Sequence, residues 1–395
     1  MIENSERIAN ISINTFIQSA VESFYNAGFS YAVWKLPGSN AVYFAASEKP
    51  EKWSAVTLED GNPGFLFSPF DPSATKVFLP ADESFEFDEG QFQSMKGHTM
   101  EKIRKSLSAS YKAATSGRYH ILNQSTGSSS DESAFKELVN KCIEGITSSQ
   151  FEKVVPSRTK QIQLPDGFDI PLLFGKLCER YPSALVSIFS SPMTGTWIGA
   201  TPEMLVRVDR DQHFYTAAVA GTQPFLPSID LRTVTWTQKD IEEQALVERY
   251  IINCFKQIRL REFEEHGPKT MVAGNVVHLK TEFEVDMKAT GFPQLGSIML
   301  KLLHPTSAVC GMPLESSLAF LKLHEHYNRQ FYSGYLGPVH INNESQLYVN
   351  LRCMQLFGKE ALLYAGAGVL ADSDPAKEWN ETELKMNTLL EVIRQ

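Results

Sequence analysis

Two acidic pairs in the C-terminal half of the sequence have a spacing that could hold a divalent cation. Glu378 and Glu381 are three residues apart in a predicted helix, and Lys385 falls on the same helix face. Asp240 and Glu243 repeat this spacing in a second predicted helix. Carboxylate oxygens are ligands that magnesium prefers, so two such helices could enclose one magnesium ion. Each pair alone is more typical of a solvated helix surface, since acidic residues are common near helix N-termini.

A candidate acid and a candidate base lie in apolar, strand-like segments. Glu203 interrupts the apolar run of residues 197–208, and in a pocket its pKa would rise, so that it could act as a general acid. Lys153 precedes Val154-Val155, where burial would lower the pKa of the amine and let it act as a base. The alternatives are a glutamate on a solvated strand face and a lysine that extends its ammonium to water.

An arginine and two glycines on predicted strands are further candidates, with the carboxylate partner of the arginine coming from the protein or from a substrate. Alternation in Tyr348-Val-Asn-Leu-Arg352 places Arg352 on a strand face, where an arginine usually has a carboxylate partner. Gly366 and Gly368, on a predicted strand, would let another group approach the backbone closely. The strand then turns through Asp372-Ser-Asp-Pro375 into the helix that carries Glu378, with Asp374 or Ser373 as the N-cap.

The elements that must position these residues indicate an α+β fold, a large antiparallel β-sheet core flanked by helices. Strands that form hairpins alternate with long helices, and no GxGxxG or Walker-type loop indicates a nucleotide site. Helices are predicted over residues 11–27, 91–110, 134–146, 237–258 and 313–329. Strands are predicted over residues 31–35, 41–46, 184–190, 196–208, 213–219, 346–357 and 361–371, with another beginning at Lys153.

The Ser- and Gly-rich residues 125–133 are the best candidate for a boundary. We therefore predict an N-terminal α/β portion of the same compact fold over residues 1–145 and a catalytic region over residues 146–395.

Composition narrows the classes of partner. The 395 residues carry a net charge of −9, which argues against a nucleic acid as partner. The five cysteines are widely spaced and indicate reduced thiols rather than a cysteine zinc site. The sequence shows neither a signal-peptide pattern nor an apolar run of membrane-spanning length, so we expect a cytoplasmic protein without a membrane partner.

Ten ordered segments from about residue 151 onward resemble the chorismate-utilising enzymes, which include isochorismate, salicylate, anthranilate and aminodeoxychorismate synthases. These segments are Lys153-Val-Val-Pro-Ser-Arg158, Gly199-Ala-Thr-Pro-Glu203, Ala220-Gly-Thr222, Lys239-Asp-Ile-Glu-Glu243, His278-Leu279, Leu303-His-Pro-Thr306, Phe331-Tyr-Ser-Gly334, Leu351-Arg352, Ala365-Gly-Ala-Gly368 and Glu378-Trp-Asn-Glu-Thr382.

The resemblance implies a role for each matched residue. Glu243 and Glu381 would bind Mg²⁺ directly, and Asp240 and Glu378 would hold its water shell. Lys153 would be the base that activates water, and Glu203 the acid at the departing hydroxyl. The substrate chorismate would be held by Gly221, Thr222, His278, Tyr332, Arg352, Gly366 and Lys385.

The sequence departs from the family pattern at three places. None of them removes a proposed metal ligand or catalytic group, so they affect only the prediction of fine specificity. The usual Glu-His reads Glu243-Gln244, the usual Arg-Gly reads Arg329-Gln330, and the basic residues after Ala-Gly-Thr are replaced by Gln223-Pro-Phe225.

Within the family, the resemblance implies an isochorismate synthase. Lys153 stands where the anthranilate branch has Gln, and Ala308 stands where salicylate synthases typically have Thr. The chain shows no glutaminase segment, and we expect no obligatory glutaminase partner. The large component of aminodeoxychorismate synthase, which also carries this Lys, is the alternative, followed by salicylate synthase. A non-catalytic chorismate-binding regulator is the alternative from another class. The resemblance leaves open whether the product would serve menaquinone or siderophore synthesis.

Overall fold

The computed structural model describes residues 13–88, 91–96, 119–122, 127–224, 230–273 and 276–394. In these ranges the strands form two nine-stranded sheets and one small two-stranded sheet, and every strand pair is antiparallel. The predicted α+β fold is confirmed, with two large sheets where the sequence suggested one. No helix in the described ranges is long and apolar enough to cross a bilayer.

Seven α-helices lie within the described ranges. They are α1 (Ile13–Asn26), α2 (Glu132–Thr147), α3 (Ile170–Arg180), α4 (Gln238–Gln257), α5 (Leu295–Leu303), α6 (Leu314–His324) and α7 (Pro375–Ile393).

The first sheet has the order β7-β6-β2-β1-β10-β11-β19-β20-β9. Its strands in chain order are β1 (Ser30–Lys35), β2 (Val42–Ser47), β6 (Glu83–Asp88), β7 (Gln91–Lys96), β9 (Ser157–Gln163), β10 (Leu185–Ser191), β11 (Gly195–Thr201), β19 (Cys353–Phe357) and β20 (Glu360–Gly366).

The second sheet has the order β14-β15-β13-β12-β18-β17-β4-β5-β3. Its strands are β3 (Glu51–Trp53), β4 (Gly64–Ser68), β5 (Lys76–Pro80), β12 (Met204–Val208), β13 (His213–Pro224), β14 (Glu264–Ala273), β15 (Val276–Asp286), β17 (Tyr335–Val339) and β18 (Ser345–Val349). The small sheet pairs β8 (Lys153–Val154) with β16 (Gly311–Met312).

Aromatic side chains fill the space between the two large sheets. Alternation along β1 directs Ala32 and Trp34 into this inner core, while Tyr31 and Val33 join a second core on the outer face. Residues of α1, α3 and α7 cover that outer face of the first sheet. Residues of α2, α4 and α5 pack with strands of the second sheet in a third core. The molecule is therefore a pair of facing sheets with helices packed outside.

Strands from both ends of the chain interleave in each large sheet. In the first sheet, β1 pairs with β10. In the second, β4 pairs with β17. The N-terminal strands are thus integral to both sheets. The boundary near residue 145 stays a prediction.

Two strands predicted as continuous are each broken where the chain passes from one sheet to the other. The predicted strand 196–208 divides at Pro202-Glu203 into β11 and β12, and 346–357 divides at 350–352 into β18 and β19. The two breaks are hydrogen-bonded to each other: Val349 N donates to Glu203 O at 2.9 Å, and Ala200 N donates to Arg352 O at 3.1 Å. Pro202 has no amide hydrogen to continue the ladder, which favours a break at this point.

The helix predicted over residues 91–110 is wrong for its described part. Residues 91–96 form β7, which pairs with β6. The partner strand β6 has residues that alternate between buried and half-buried positions. Pairing with this strand overrides the local helical pattern of residues 91–96. The remainder of that predicted helix lies outside the described residues. The helix predicted over 313–329 is α6, which ends at His324.

Candidate active site

A cleft of about 230 Å³ brings together most of the residues singled out from the sequence. Its lining includes Glu203, Gly221, His278, Tyr332, Arg352, Gly366, Lys385, Asp240, Glu243 and Glu381. Lys153 and Glu378 lie directly behind this lining, where each is only 2% exposed. Thr222 belongs to β13, and its side chain lies outside the described residues.

Lys153 is buried at the start of β8 and forms an ion pair with a cleft carboxylate. Its Nζ lies 2.7 Å from Oε1 of Glu243, on α4. Burial alone would raise the pKa of Glu243, but the charge and hydrogen bond of Lys153, together with the charges of Lys385 and Lys239, outweigh burial and lower it. A Cβ at Gly368 would lie 3.1 Å from Glu243 Oε1 and 3.2 Å from Lys153 Cε, so the glycine leaves room for the pair. The lysine is therefore directed towards the cleft and does not extend to water.

Glu203 enters the cleft because the strand breaks there. Burial raises the pKa of its carboxyl group to about 7, although the positive charges of Lys153, Arg352 and Lys385 act in the opposite direction. This is the range in which a carboxylic acid can both hold a proton and donate it at neutral pH. The solvated strand face, which alternation favoured for this residue, is not where it lies.

The four carboxylates proposed to hold a metal do not have equal environments. Glu378 is almost fully buried, and its Oε2 has no hydrogen-bond partner among the described residues. Burial, followed by the negative charge of Glu381, raises the pKa of Glu378. Thr237 caps the N-terminus of α4, and the carboxylate of Asp240 completes the capping box by accepting a hydrogen bond from the Thr237 amide. A buried carboxylate oxygen without a donor is favourable for a cation, so this oxygen-rich set fits magnesium.

Three of these four carboxylates, Glu243, Glu381 and Glu378, have a lysine partner. Lys385 Nζ is 2.6 Å from Glu381 Oε1 and donates to Gly366 O at 2.8 Å. Lys239 Nζ is 3.5 Å from Glu378 Oε1. Magnesium bound by Glu243 and Glu381 would therefore compete with ammonium groups for the same oxygens. Lys239 was not singled out from the sequence, where it reads as an ordinary charge in the first turn of a helix.

The histidine and a glycine of the cleft are joined through the backbone. Nδ1 of His278 lies 2.9 Å from the carbonyl oxygen of Gly221. Burial lowers the pKa of His278 to about 4, so the ring is neutral at pH 7. Gly221 has φ +65°, and a Cβ there would lie 3.2 Å from Cβ of Asp240. The glycine thus permits β13 to approach the start of α4.

Arg352 reaches the cleft through backbone geometry rather than strand alternation. It lies in the break between β18 and β19 with φ +48°. Tyr332 lines the cleft beside it and stacks on Tyr364, with ring centroids 5.3 Å apart. A Cβ at Gly366 would lie 3.2 Å from the hydroxyl of Tyr332. One end of the cleft is therefore aromatic and cationic, and its guanidinium could pair with a carboxylate.

The structure describes two of the residues that depart from the family pattern, Gln244 and Gln330. Gln244 is buried, and its Nε2 donates to Ala218 O, Glu248 and Thr281. Gln330 has φ +49°, so the chain keeps at this position a conformation that glycine adopts more readily. Neither residue lines the cleft.

A buried ion pair supports the cleft wall and could not be found from the sequence. Arg329 and Glu325 are 3% and 4% exposed and 2.5 Å apart. Arg329 also donates to the carbonyl oxygens of Val155 and Val309, both of which line the cleft. The (i, i+4) spacing of the pair predicts a contact only if the segment is helical, and α6 ends before Glu325.

Comparisons with known proteins identify relatives of this chain. Isochorismate synthase EntC of Escherichia coli (strain K12) is 27% identical over 271 residues, which cover 67% of this chain and 68% of EntC. The structure of MenF, the menaquinone-specific isochorismate synthase from Escherichia coli, superimposes with a TM-score of 0.73 at 19% identity, covering 95% of this chain and 91% of MenF. Anthranilate synthase component I from Streptococcus pneumoniae TIGR4 superimposes with a TM-score of 0.66 at 17% identity, covering 98% and 95%. These two structural likenesses show the fold alone.

The family itself is shown by a match that spans most of the sequence. The family model described as "Chorismate binding enzyme" matches residues 84–394. This range contains every residue of the cleft described above. The chain belongs to the chorismate binding enzyme family.

Proposed function

We propose that this chain is a magnesium-dependent isochorismate synthase, which adds water at ring carbon 2 of chorismate and removes the hydroxyl at carbon 4. The activity predicted from the sequence is supported by the curated isochorismate synthase reported above. One observation carries the residue assignment: Glu203 lines the cleft, and Lys153 lies directly behind the wall of the same cleft. A binding protein without catalysis has no need of both groups.

Lys153 acts as the base and Glu203 as the acid in the proposed reaction. In its neutral form, Lys153 takes a proton from a water molecule, whose oxygen bonds to carbon 2. The electrons of the two ring double bonds shift towards carbon 4, the bond between carbon 4 and its hydroxyl oxygen breaks, and Glu203 supplies the proton that lets the hydroxyl leave as water. The two groups avoid both free hydroxide and an unprotonated leaving group.

Binding the substrate dianion is assigned to the two ends of the cleft. Glu243 and Glu381 would hold magnesium, with Asp240 and Glu378 around it, and the bound ion would supply charge neutralisation at the ring carboxylate. Tyr332, Arg352, Gly366 and Lys385 hold the enolpyruvyl carboxylate. Gly221, Thr222 and His278 lie against the ring. The neutral imidazole of His278 adds no charge there.

Turnover in oxygen-18 water tests the proposed nucleophile. One heavy oxygen is expected on the ring of the product, with the enolpyruvyl group still attached, because Lys153 activates water. Mass spectrometry of the product measures this. Nitrogen incorporation on adding ammonium would instead indicate aminodeoxychorismate synthesis. Release of pyruvate with salicylate would show that Ala308, which lines the cleft, does not restrict the reaction to isochorismate.

Removal of magnesium tests the metal assignment. Activity is expected to vanish with a chelator and to return with magnesium, since every proposed ligand is an oxygen donor. Glu381→Ala is expected to lose both turnover and the response to magnesium, measured by steady-state kinetics over a magnesium titration. Full turnover in chelator-treated enzyme would mean that these carboxylates serve only as partners of the lysines.

The pH profile tests the role of Glu203. Its pKa is raised to about 7, and the acid form is the one that donates a proton, so turnover is expected to fall as pH rises through about 7. The measurement is kcat from roughly pH 6 to roughly pH 9. The residual turnover of Glu203→Gln should lack this decline. A wild-type profile that stays flat over the range contradicts the assignment.

A further inference from the structure

A second group of metal-ligating side chains lies on the second large sheet, outside the cleft. Glu264 and His266 lie on β14, and Glu284 lies on the neighbouring β15. One ligand atom from each of the three lies within 4.8 Å of the others. Glu264 is directly opposite Glu284 in the strand register, and His266 is two residues further along the same strand. Alternation therefore places all three side chains on one face of the sheet.

The partners of the two carboxylates among the described residues are histidines and a tyrosine rather than lysines or arginines. Within the described ranges, neither Glu264 nor Glu284 forms an ion pair with a lysine or an arginine. The nearby Lys280 is bound to Glu282 at 2.6 Å, and Arg207 is 3.5 Å from Glu344. Two carboxylates this close repel each other, and a cation between them would remove that repulsion.

Glu284 is held in position by donors on the neighbouring strand β13. Nδ1 of His213 lies 2.7 Å from its Oε1, and the hydroxyl of Tyr215 donates to the same oxygen at 3.1 Å. Hydrogen bonds of this kind orient a carboxylate ligand and reduce the entropy that metal binding must remove. His266, on the other side, is 3.3 Å from Glu264 through Nε2.

We propose that Glu264, His266 and Glu284 form a binding site for a divalent transition-metal ion such as zinc. One imidazole with two carboxylates favours zinc, cobalt or nickel over magnesium, whose preferred ligands are all oxygen. Three protein ligands leave a further coordination position for water or a small anion. Because β14 is an edge strand of its sheet, the ion would also join this edge to β15.

Cobalt titration of the full chain tests the site. The protein is first treated with a chelator and then titrated with Co²⁺ alone, and binding is followed by visible absorption. A saturable band that Zn²⁺ displaces is expected. His266→Ala and Glu284→Gln should each weaken Co²⁺ binding at least about tenfold. Glu264→Gln, at a 72% exposed side chain, should do the same and is least able to disturb the fold.

Two controls separate this site from the cleft and from general surface charge. Glu265→Gln changes the next residue of the same strand, whose side chain projects to the opposite face, and should leave the Co²⁺ affinity unchanged. Glu381→Ala removes a cleft carboxylate and should retain the absorption band. His266→Ala should keep its magnesium-dependent turnover, so failure of this proposal is distinguishable from failure of the proposed activity. Absence of the band in the wild type, or unchanged affinity in His266→Ala and Glu264→Gln, overturns the site.

Discussion

Replacement of Lys153 with alanine and of Glu203 with glutamine is expected to lower turnover at least about a hundredfold in each case. The first change removes the group that takes a proton from water, and the second keeps the size of the acid but removes its proton. Steady-state kinetics with chorismate and magnesium measures both effects. The loss should appear in kcat, since neither residue is assigned to holding the substrate carboxylates.

Matched variants separate these effects from damage to the fold. Lys160→Ala removes another lysine that pairs with a glutamate, Glu383, at 2.7 Å, but at a half-buried position outside the cleft. Glu242→Gln changes the exposed neighbour of Glu243 on α4. Both should retain turnover, and circular dichroism should show the wild-type fold in all four proteins. Near-normal turnover of Lys153→Ala would remove its assignment as the base.

Replacement of Glu325 with glutamine is expected to destabilise the protein by about 3–5 kcal/mol. The substitution leaves the guanidinium of Arg329 buried without a compensating charge, and few waters can reach it. Glu325 also accepts hydrogen bonds from the amide and hydroxyl of Ser157, so a second buried contact is weakened. Because Arg329 holds the carbonyl oxygens of Val155 and Val309, we expect the cleft wall to loosen as well.

Urea unfolding with an exposed pair as control measures this cost. Glu132 and Lys136 form an (i, i+4) ion pair on α2 at 2.6 Å, with side chains 53% and 35% exposed. Glu132→Gln removes an ion pair of the same spacing that is exposed to solvent, and it should change the free energy of unfolding by about 0.5 kcal/mol or less. If Glu325→Gln cost no more than this control, the buried pair would contribute specificity of packing rather than stability.

Much of the helical framework around the site follows from the sequence alone. The N-cap of α7 is Asp374, followed by Pro375 in the first turn, and Thr237 caps α4. These signals are local, because a cap and its helix lie within a few residues of each other. The face shared by Glu378, Glu381 and Lys385 is likewise determined by helical spacing, and Lys385 does contact Glu381.

What only the tertiary structure decided is how these local elements meet. Strand alternation favoured a solvated position for Glu203 and predicted continuous strands through 202–203 and 350–352, whereas the chain changes sheets at both points. Such a change depends on hydrogen bonds between residues far apart in sequence, such as Val349 N to Glu203 O. The Lys153–Glu243 ion pair likewise joins residues ninety positions apart. Sequence spacing identifies residues able to do the chemistry, but long-range pairing of the two sheets determines which of them share a cleft.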